Sequence, residues 1–292
     1  MNDHALNDDQ FLRLSDAITG AFAADGGFDQ SGYATALTEA YAAGMVADLM
    51  LAWAMVLAST HTSAQRPLDS YVDRLAEEIE GPVCEAVRHH GQALIDTARD
   101  GDDDAMHAGW LTVLEALDAD GVNWLAWALA AAVAPVMPTL GGLEHFLAAA
   151  EMVRMAAGRA QEVTFFDIRA VAAALCAVTA GARDAARVYL SLPNIHHTVE
   201  CLSALIPGLL RGAPATVYTL DDDGVLSGIA DPADPDVQRL TAVIAAGTTS
   251  DPARAAAIFN AAAPAESRED VELLLWHLTL ALGASLVRMF AD

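Results

Sequence analysis

The chain of 292 residues contains no lysine: its fixed positive charges are 15 arginines, set against 40 carboxylates for a formal charge of −25. Without an ε-amine it cannot form a Schiff base, anchor pyridoxal phosphate or build a lysine-bearing phosphate loop. So acidic a chain is ill suited to nucleic acid or anionic membranes, whose phosphates call for basic contacts, while 54% hydrophobic residues supply a large core rather than a disordered chain.

Nearly every stretch reads as helix. Gln10–Ala24 spaces Phe11, Leu14, Ile18 and Phe22 at helical intervals. Ser31–Ala43 and Met45–Thr60 form a helical hairpin joined near Gly44. Pro67 opens a helix that reaches Arg99 and is broken or kinked at Gly81-Pro82, because proline removes a donor and clashes with the preceding turn. Asp102–Ala119 and Val122–Val136 form a second hairpin around Gly121. Further helices are predicted at Gly142–Ala157, Phe165–Ala180, Ala182–Leu192 and Asn194–Arg211, the last entered through Leu192-Pro193-Asn194, a stop followed by an N-cap. Thr216–Leu220 is β-prone, Asp221–Gly224 is a turn and Val225–Ile229 a returning strand. Helices resume after Asp234-Pro235 and after Asp251-Pro252, and the last starts at Ser267 with Asp270 close to a capping box. Val271, Leu274, Leu275, Leu278 and Leu282 on one face and Leu273, Leu280 and Val287 on another mark that helix as buried between neighbours.

The expected fold is therefore all-α: roughly a dozen helices packed as hairpins, in a bundle or a short solenoid-like array, with one small β-hairpin near residues 216–229. Residues 1–211 form a helical domain, and 212–292 a hairpin plus C-terminal helices packed on the same core. A weak internal similarity relates 32–60 to 108–137: Leu51-Ala52-Trp53-Ala54-Met55 matches Leu125-Ala126-Trp127-Ala128-Leu129, and both stretches are free of arginine. An Ala- and Leu-rich chain also produces such likeness by chance.

Two apolar stretches raise the question of a membrane. Val122–Leu143 contains Pro135 and Pro138 and has no flanking cation to orient it, and Leu273–Phe290 contains His277 and Arg288, so a soluble protein is expected. Cys84, Cys176 and Cys201 show no Cys-x-x-Cys spacing, and the start has no basic or apolar leader pattern, which points to reduced thiols in the cytoplasm.

The charge is uneven: residues 1–150 carry a net −18, residues 151–211 a net +1 and residues 212–292 a net −8. The middle is the stretch that does not repel an anion. Within it lies Asn194-Ile195-His196-His197-Thr198-Val199-Glu200, where helical spacing lets an imidazole and a carboxylate share a ligand. His196, His197 and Glu200, with Arg183 and Arg187, are the candidate ligand-binding residues; the structural alternative is a solvated first turn, with the arginines of the segment paired to Glu151, Glu162, Asp167 and Asp184. A metal would need further ligands from elsewhere, so no metal or cofactor is expected. His89-His90 with Glu85, and Asp103 and Asp104 with His107, read as charged surface. Ser59-Thr60-His61-Thr62-Ser63 places hydroxyls beside an imidazole without an acid to orient it, which favours a loop. Trp53, Trp124, Trp127 and Met137 line an apolar pocket or, more simply, the core. Gly-x-Ser-x-Gly, Gly-x-Gly-x-x-Gly, His-Glu-x-x-His and Asp-Asp-x-x-Asp are all absent.

These observations favour an acidic helical protein acting as a non-enzymatic interaction or regulatory module, with a protein partner or self-association and neither nucleic acid nor membrane. The alternative is a helical binder or enzyme holding a small anion in a pocket within 151–211.

Overall fold

The computed structural model describes residues 8–22, 27–77, 79–157, 163–209, 218–220, 226–229, 231–235, 237–238, 241–242, 245, 257, 275–283 and 286. The chain is all-α. Among the described residues the helices are α1 (Asp8–Gly20), α2 (Gln30–Ala43), α3 (Val46–Thr60), α4 (Asp69–Leu75), α5 (Gly81–Asp100), α6 (Asp103–Ala116), α7 (Ala119–Val133), α8 (Met137–Leu140), α9 (Leu143–Ala157), α10 (Phe165–Thr179), α11 (Arg183–Leu190) and α12 (Ile195–Leu209). Two short strands, β1 (Tyr218–Leu220) and β2 (Leu226–Ile229), pair antiparallel with Tyr218 opposite Ile229 and a bulge between Thr219 and Leu220. The expected turn at Asp221–Gly224, the helix after Asp251-Pro252 and the start of the last helix at Ser267 lie outside the described residues.

Local chemistry sets the helix ends. Asp29 caps α2 by accepting from the Gly32 N–H at 2.9 Å, and Gly44 closes it at φ +71°, a left-handed conformation that costs glycine nothing. Pro82 lies in the first turn of α5, where its missing N–H is one of the orphan donors anyway, so two helices meet near Gly81 instead of one rod running through. The second hairpin breaks earlier than Gly121: α6 ends at Ala116 and Asp118 caps α7, accepting from the Gly121 N–H at 2.9 Å. The aspartate wins because its carboxylate satisfies an orphan donor, whereas glycine offers only freedom. The apolar run Val122–Leu143 is thereby divided among α7, α8 and the start of α9, and among the described residues no single helix is long and apolar enough to cross a membrane.

The chain divides into two compact units, one of Met1–Pro138 with Gly142–Glu144, the other of Thr139–Gly141 with His145–Asp292. The division falls near residue 140. In the first unit α5 packs on α3, α4, α6 and α7, and α3 also meets α2, α6 and α7. Their shared core includes Trp53 and Leu57 of α3, Leu94 and Ile95 of α5, and Leu125 and Leu129 of α7, all buried. Gly91 of α5 sits in a tight contact: a Cβ there would lie 2.5 Å from Leu68 Cδ1 and 2.7 Å from Leu125 Cδ1.

In the second unit α10 packs on α11 and α12 and is buried at every residue from Asp167 to Ala177. Such a helix is a core element, with Asp167 and Arg169 as its buried charged groups, and its alanines let the neighbours come close. Residues 275–283 are helical and bury Leu275, Trp276, Leu278 and Leu282. Gly283 sits against α10, where a Cβ would lie 2.5 Å from Val178 Cγ1.

Candidate functional site

The polar centre of the second unit is the carboxylate of Asp167, the third residue of α10 and only 3% exposed. Thr164 caps the helix: its Oγ1 accepts from the Asp167 N–H at 3.2 Å. In return Asp167 Oδ2 accepts from the Thr164 N–H at 2.9 Å and from its hydroxyl at 2.7 Å. That is a capping box built with aspartate. The first turn of α12 then brings His197 Nδ1 to the same oxygen at 2.8 Å, and the Asn194 N–H donates to Oδ1 at 3.2 Å. One buried carboxylate thus joins the start of α10 to the start of α12. It also fixes the imidazole with its proton on Nδ1.

The five candidate residues are placed as follows. His197 is bound to Asp167. His196 is exposed beside it, its N–H donating to Asn194 Oδ1 at 2.9 Å, which makes Asn194 the cap of the helix. Glu200 is half-buried one turn on. Arg183, half-buried, and Arg187, exposed, lie on α11, and the Arg187 guanidinium sits 5.0 Å above the ring of Trp276. Of the pairings proposed for the arginines, Arg154 meets Glu151 at 2.6 Å, while Arg159, Arg211 and Glu162 lie outside the described residues.

A carboxylate-held imidazole is two thirds of a nucleophilic triad, but the nearby nucleophiles are committed. The Thr164 hydroxyl donates to Asp167, and the Thr198 hydroxyl donates to the Asn194 carbonyl at 3.0 Å. Cys201 is fully buried, and burial, with Asp167 and Glu200 adding to it, pushes its thiol well above the ordinary value. Burial pushes the Cys176 thiol up to about 12. Neither sulfur forms a thiolate near neutrality.

In the first unit the polar face of α5 borders a groove of about 730 Å³ lined by Arg66, Asp69, Glu85, Arg88, His89, Gln92 and Asp96. Its charges largely neutralise one another: Arg88 meets Asp69 at 3.4 Å and Asp73 at 2.6 Å, and Arg66 meets Asp96 at 3.9 Å. Burial, followed by the neighbouring His89, lowers the pKa of His90. At the end of α3 the Thr60 hydroxyl donates to the Val56 carbonyl at 2.8 Å, so it is no nucleophile for His61, whose Nδ1 lies 3.0 Å away. The buried Arg99 holds this corner, donating to the carbonyls of His61 at 3.2 Å and Thr62 at 3.3 Å and to Asp96 at 2.9 Å. Among the described residues no group of three His, Cys, Asp or Glu side chains could hold a metal ion.

A second feature of the first unit is aromatic. After α1, Phe22 forms an antiparallel bridge with Phe28, and the Asp29 N–H reaches the Ala21 carbonyl at 2.9 Å. The two phenylalanine rings stack at 4.7 Å, Tyr33 meets Phe22 edge-on at 5.6 Å, and Trp127 of α7 meets Phe22 edge-on at 5.4 Å. The Tyr41 hydroxyl donates to Asn123 Oδ1 at 2.6 Å, tying α2 to α7 beside them. Phe28 is 41% and Tyr41 45% exposed. Tyr33, by contrast, is 7% exposed, and its hydroxyl has no hydrogen-bond partner among the described residues. Of the aromatics grouped in the sequence, Trp53 is core, donating from Nε1 to Ser15 Oγ at 3.0 Å. Trp124 and Trp127 are only half-buried. The signal for the patch was the density of rings between Phe22 and Tyr41; its exposure was not readable from spacing.

Comparisons with protein-family models, with curated proteins and with solved structures find no match for this chain.

Proposed function

We propose that this chain is a protein-interaction or regulatory module without a catalytic centre of its own, and that it meets its partner through the aromatic patch of the first unit. The carrying observation is the half-exposed cluster of Phe22, Phe28, Tyr41 and Trp127. Aromatic side chains supply large contact area at low entropic cost and are enriched among the residues that dominate binding energy. Leu111 and Leu114, neighbours on α6, add exposed apolar surface in the same unit. The reactive groups elsewhere are spent inside the protein, as at Asp167 and Arg99. A pocket for a small anion at His196, His197, Glu200, Arg183 and Arg187 is less favoured, because His197 Nδ1 serves Asp167 and Arg187 covers Trp276.

We read the first unit as a bundle, since α3 and α5 each touch helices distant in sequence as well as their neighbours. The unequal burial of Trp53 and Trp127 within the matched segments speaks against stacked repeats. The three free thiols, all buried, fit a reducing cytoplasm. The test is affinity capture from the native host with the intact chain and with Phe28→Asp, followed by cross-link mapping. A partner held by the first and lost by the second, with cross-links around residues 22–41, supports the reading. A partner retained equally by both, or none above background at physiological salt, removes it.

A further inference from the structure

The two arginine-free stretches of the first unit meet in space. Its arginines are Arg13, Arg66, Arg74, Arg88 and Arg99, on α1, before α4, on α4 and on α5. No cation other than histidine is carried by α2, α3, α6 or α7, and α3 packs directly on α7. The acids of these helices and their caps, among them Asp29, Glu39, Asp48, Asp118 and Asp120, are exposed, and none belongs to an ion pair among the described residues. The acids facing α5 are different: Asp69, Asp73 and Asp96 all have an arginine. Arginine thus pairs three acids beside α5, though not Glu85, and among the described residues it pairs none of α2, α3, α6 or α7.

The aromatic patch lies against the arginine-free helices, where Tyr41 of α2 reaches Asn123 and Phe22 reaches Trp127 of α7. Asp120, Asn123, Trp124 and Trp127 follow one another at helical spacing on a single face of α7. Elsewhere the protein lays guanidinium groups over its own rings: Arg74 over Tyr71, Arg169 over Phe165 and Arg187 over Trp276, at 5.0–5.8 Å. Among the described residues no guanidinium lies over the rings of the patch. The buried hydroxyl of Tyr33, whose ring meets Phe22 and Phe28, has no hydrogen-bond partner among the described residues.

From this juxtaposition we infer that the occupant of the patch is a basic, arginine-bearing segment of a partner protein, its guanidinium stacked on the Phe28–Trp127 rings and its remaining cations facing Glu39 and Asp120. Arginine is the side chain that suits both halves of the surface, since its planar cation stacks on rings and pairs with carboxylates. A second copy of this chain is a poor occupant, because a two-fold interface would set the same unpaired acids against each other. An anionic lipid surface is repelled for the same reason.

The inference rests on the interaction reading, and the experiment separates the two. Fluorescein-labelled octa-arginine, octa-lysine and octa-glutamate are titrated against the intact chain by fluorescence anisotropy in about 150 mM salt, where screening acts over about 8 Å. Octa-arginine binds, octa-glutamate does not, and octa-lysine binds at least about threefold more weakly because it stacks poorly. Phe28→Ala weakens octa-arginine about tenfold. Glu39→Gln with Asp120→Asn, which leave the core and the caps untouched, weaken it about threefold to tenfold, whereas Glu77→Gln with Glu80→Gln, an equal charge change beside α4, leave it unchanged. Circular dichroism melts accompany each variant, and the charge pair decides the matter if Phe28→Ala loses its fold. Equal affinity for octa-arginine and octa-lysine, equal loss from both charge pairs, or no binding overturns the inference. A host partner captured through the patch whose cross-linked segment lacks basic residues overturns it too, but leaves the interaction reading standing.

Discussion

Asp167→Ala tests the account of the second unit most directly. The substitution removes an acceptor that serves four donors: the N–H and hydroxyl of Thr164, the N–H of Asn194 and Nδ1 of His197. Loss of the carboxylate half of a capping box costs about 1 kcal/mol. The Asn194 N–H, bonded at 3.2 Å to a carboxylate that is 3% exposed, loses its acceptor at a cost of about 1 kcal/mol. The bond to His197 contributes about 1 kcal/mol more, since that side chain is only 19% exposed and its alternative partner is partial water. The sum is about 3 kcal/mol. His197→Ala alone should cost about 1 kcal/mol, because Asp167 keeps its other donors. The two side chains touch, so the double variant should be more stable than the sum of the singles predicts, by about 1 kcal/mol. The buried thiols Cys176 and Cys201 provide the assay: their labelling against urea reports opening of this unit. Single-variant costs that add within about 0.3 kcal/mol, or an Asp167→Ala cost below about 1 kcal/mol, would show that the geometry carries no coupling and refute the reasoning.

Gly91→Ala should destabilise the protein by about 1–3 kcal/mol although alanine favours helix, because the new methyl meets Leu68 and Leu125 in a full core; an unchanged urea midpoint would mean the helices can part there. Arg99→Met should cost about 2–3 kcal/mol by leaving the His61 and Thr62 carbonyls unmet, and Arg99→Lys should recover less than half of that because an ammonium lacks the fork, both read from urea curves. Burial lowers the His61 pKa from 6.5, the bond to the Leu57 carbonyl opposes this and Arg99 reinforces it. Its contribution to stability is therefore full above the unfolded value near 6.5 and is lost as pH falls through the lowered folded value, because the unfolded chain takes the proton first. Melting temperatures of wild type should fall more steeply than those of His61→Gln over that interval; parallel curves would contradict the assignment.

The helices were legible where apolar spacing and end signals agree. Gly44, the Gly81-Pro82 start of α5 and the Asn194 cap each act on their own few residues, and each could be read from them. The break at Asp118 was displaced because glycine and aspartate both signal an end, and only the geometry tells which of them meets an orphan donor. His197 was visible as a polar group at a helix start, but its partner lies 30 residues away, and no periodicity links Thr164-x-x-Asp167 to Asn194. The aromatic patch was hidden for a related reason. Trp53 and Trp127 occupy matching places in similar hairpins, and spacing assigns both to the core. What distinguishes them is the neighbour each helix acquires: α3 packs on α5 and α7 with Ser15 ready to bond the Trp53 indole, while Trp127 meets the rings of Phe22 and Phe28 and stays half-exposed. The missing arginines were plain in the sequence as two separate gaps. They acquire meaning because the fold packs α3 against α7, which brings the two arginine-free stretches together in the first unit.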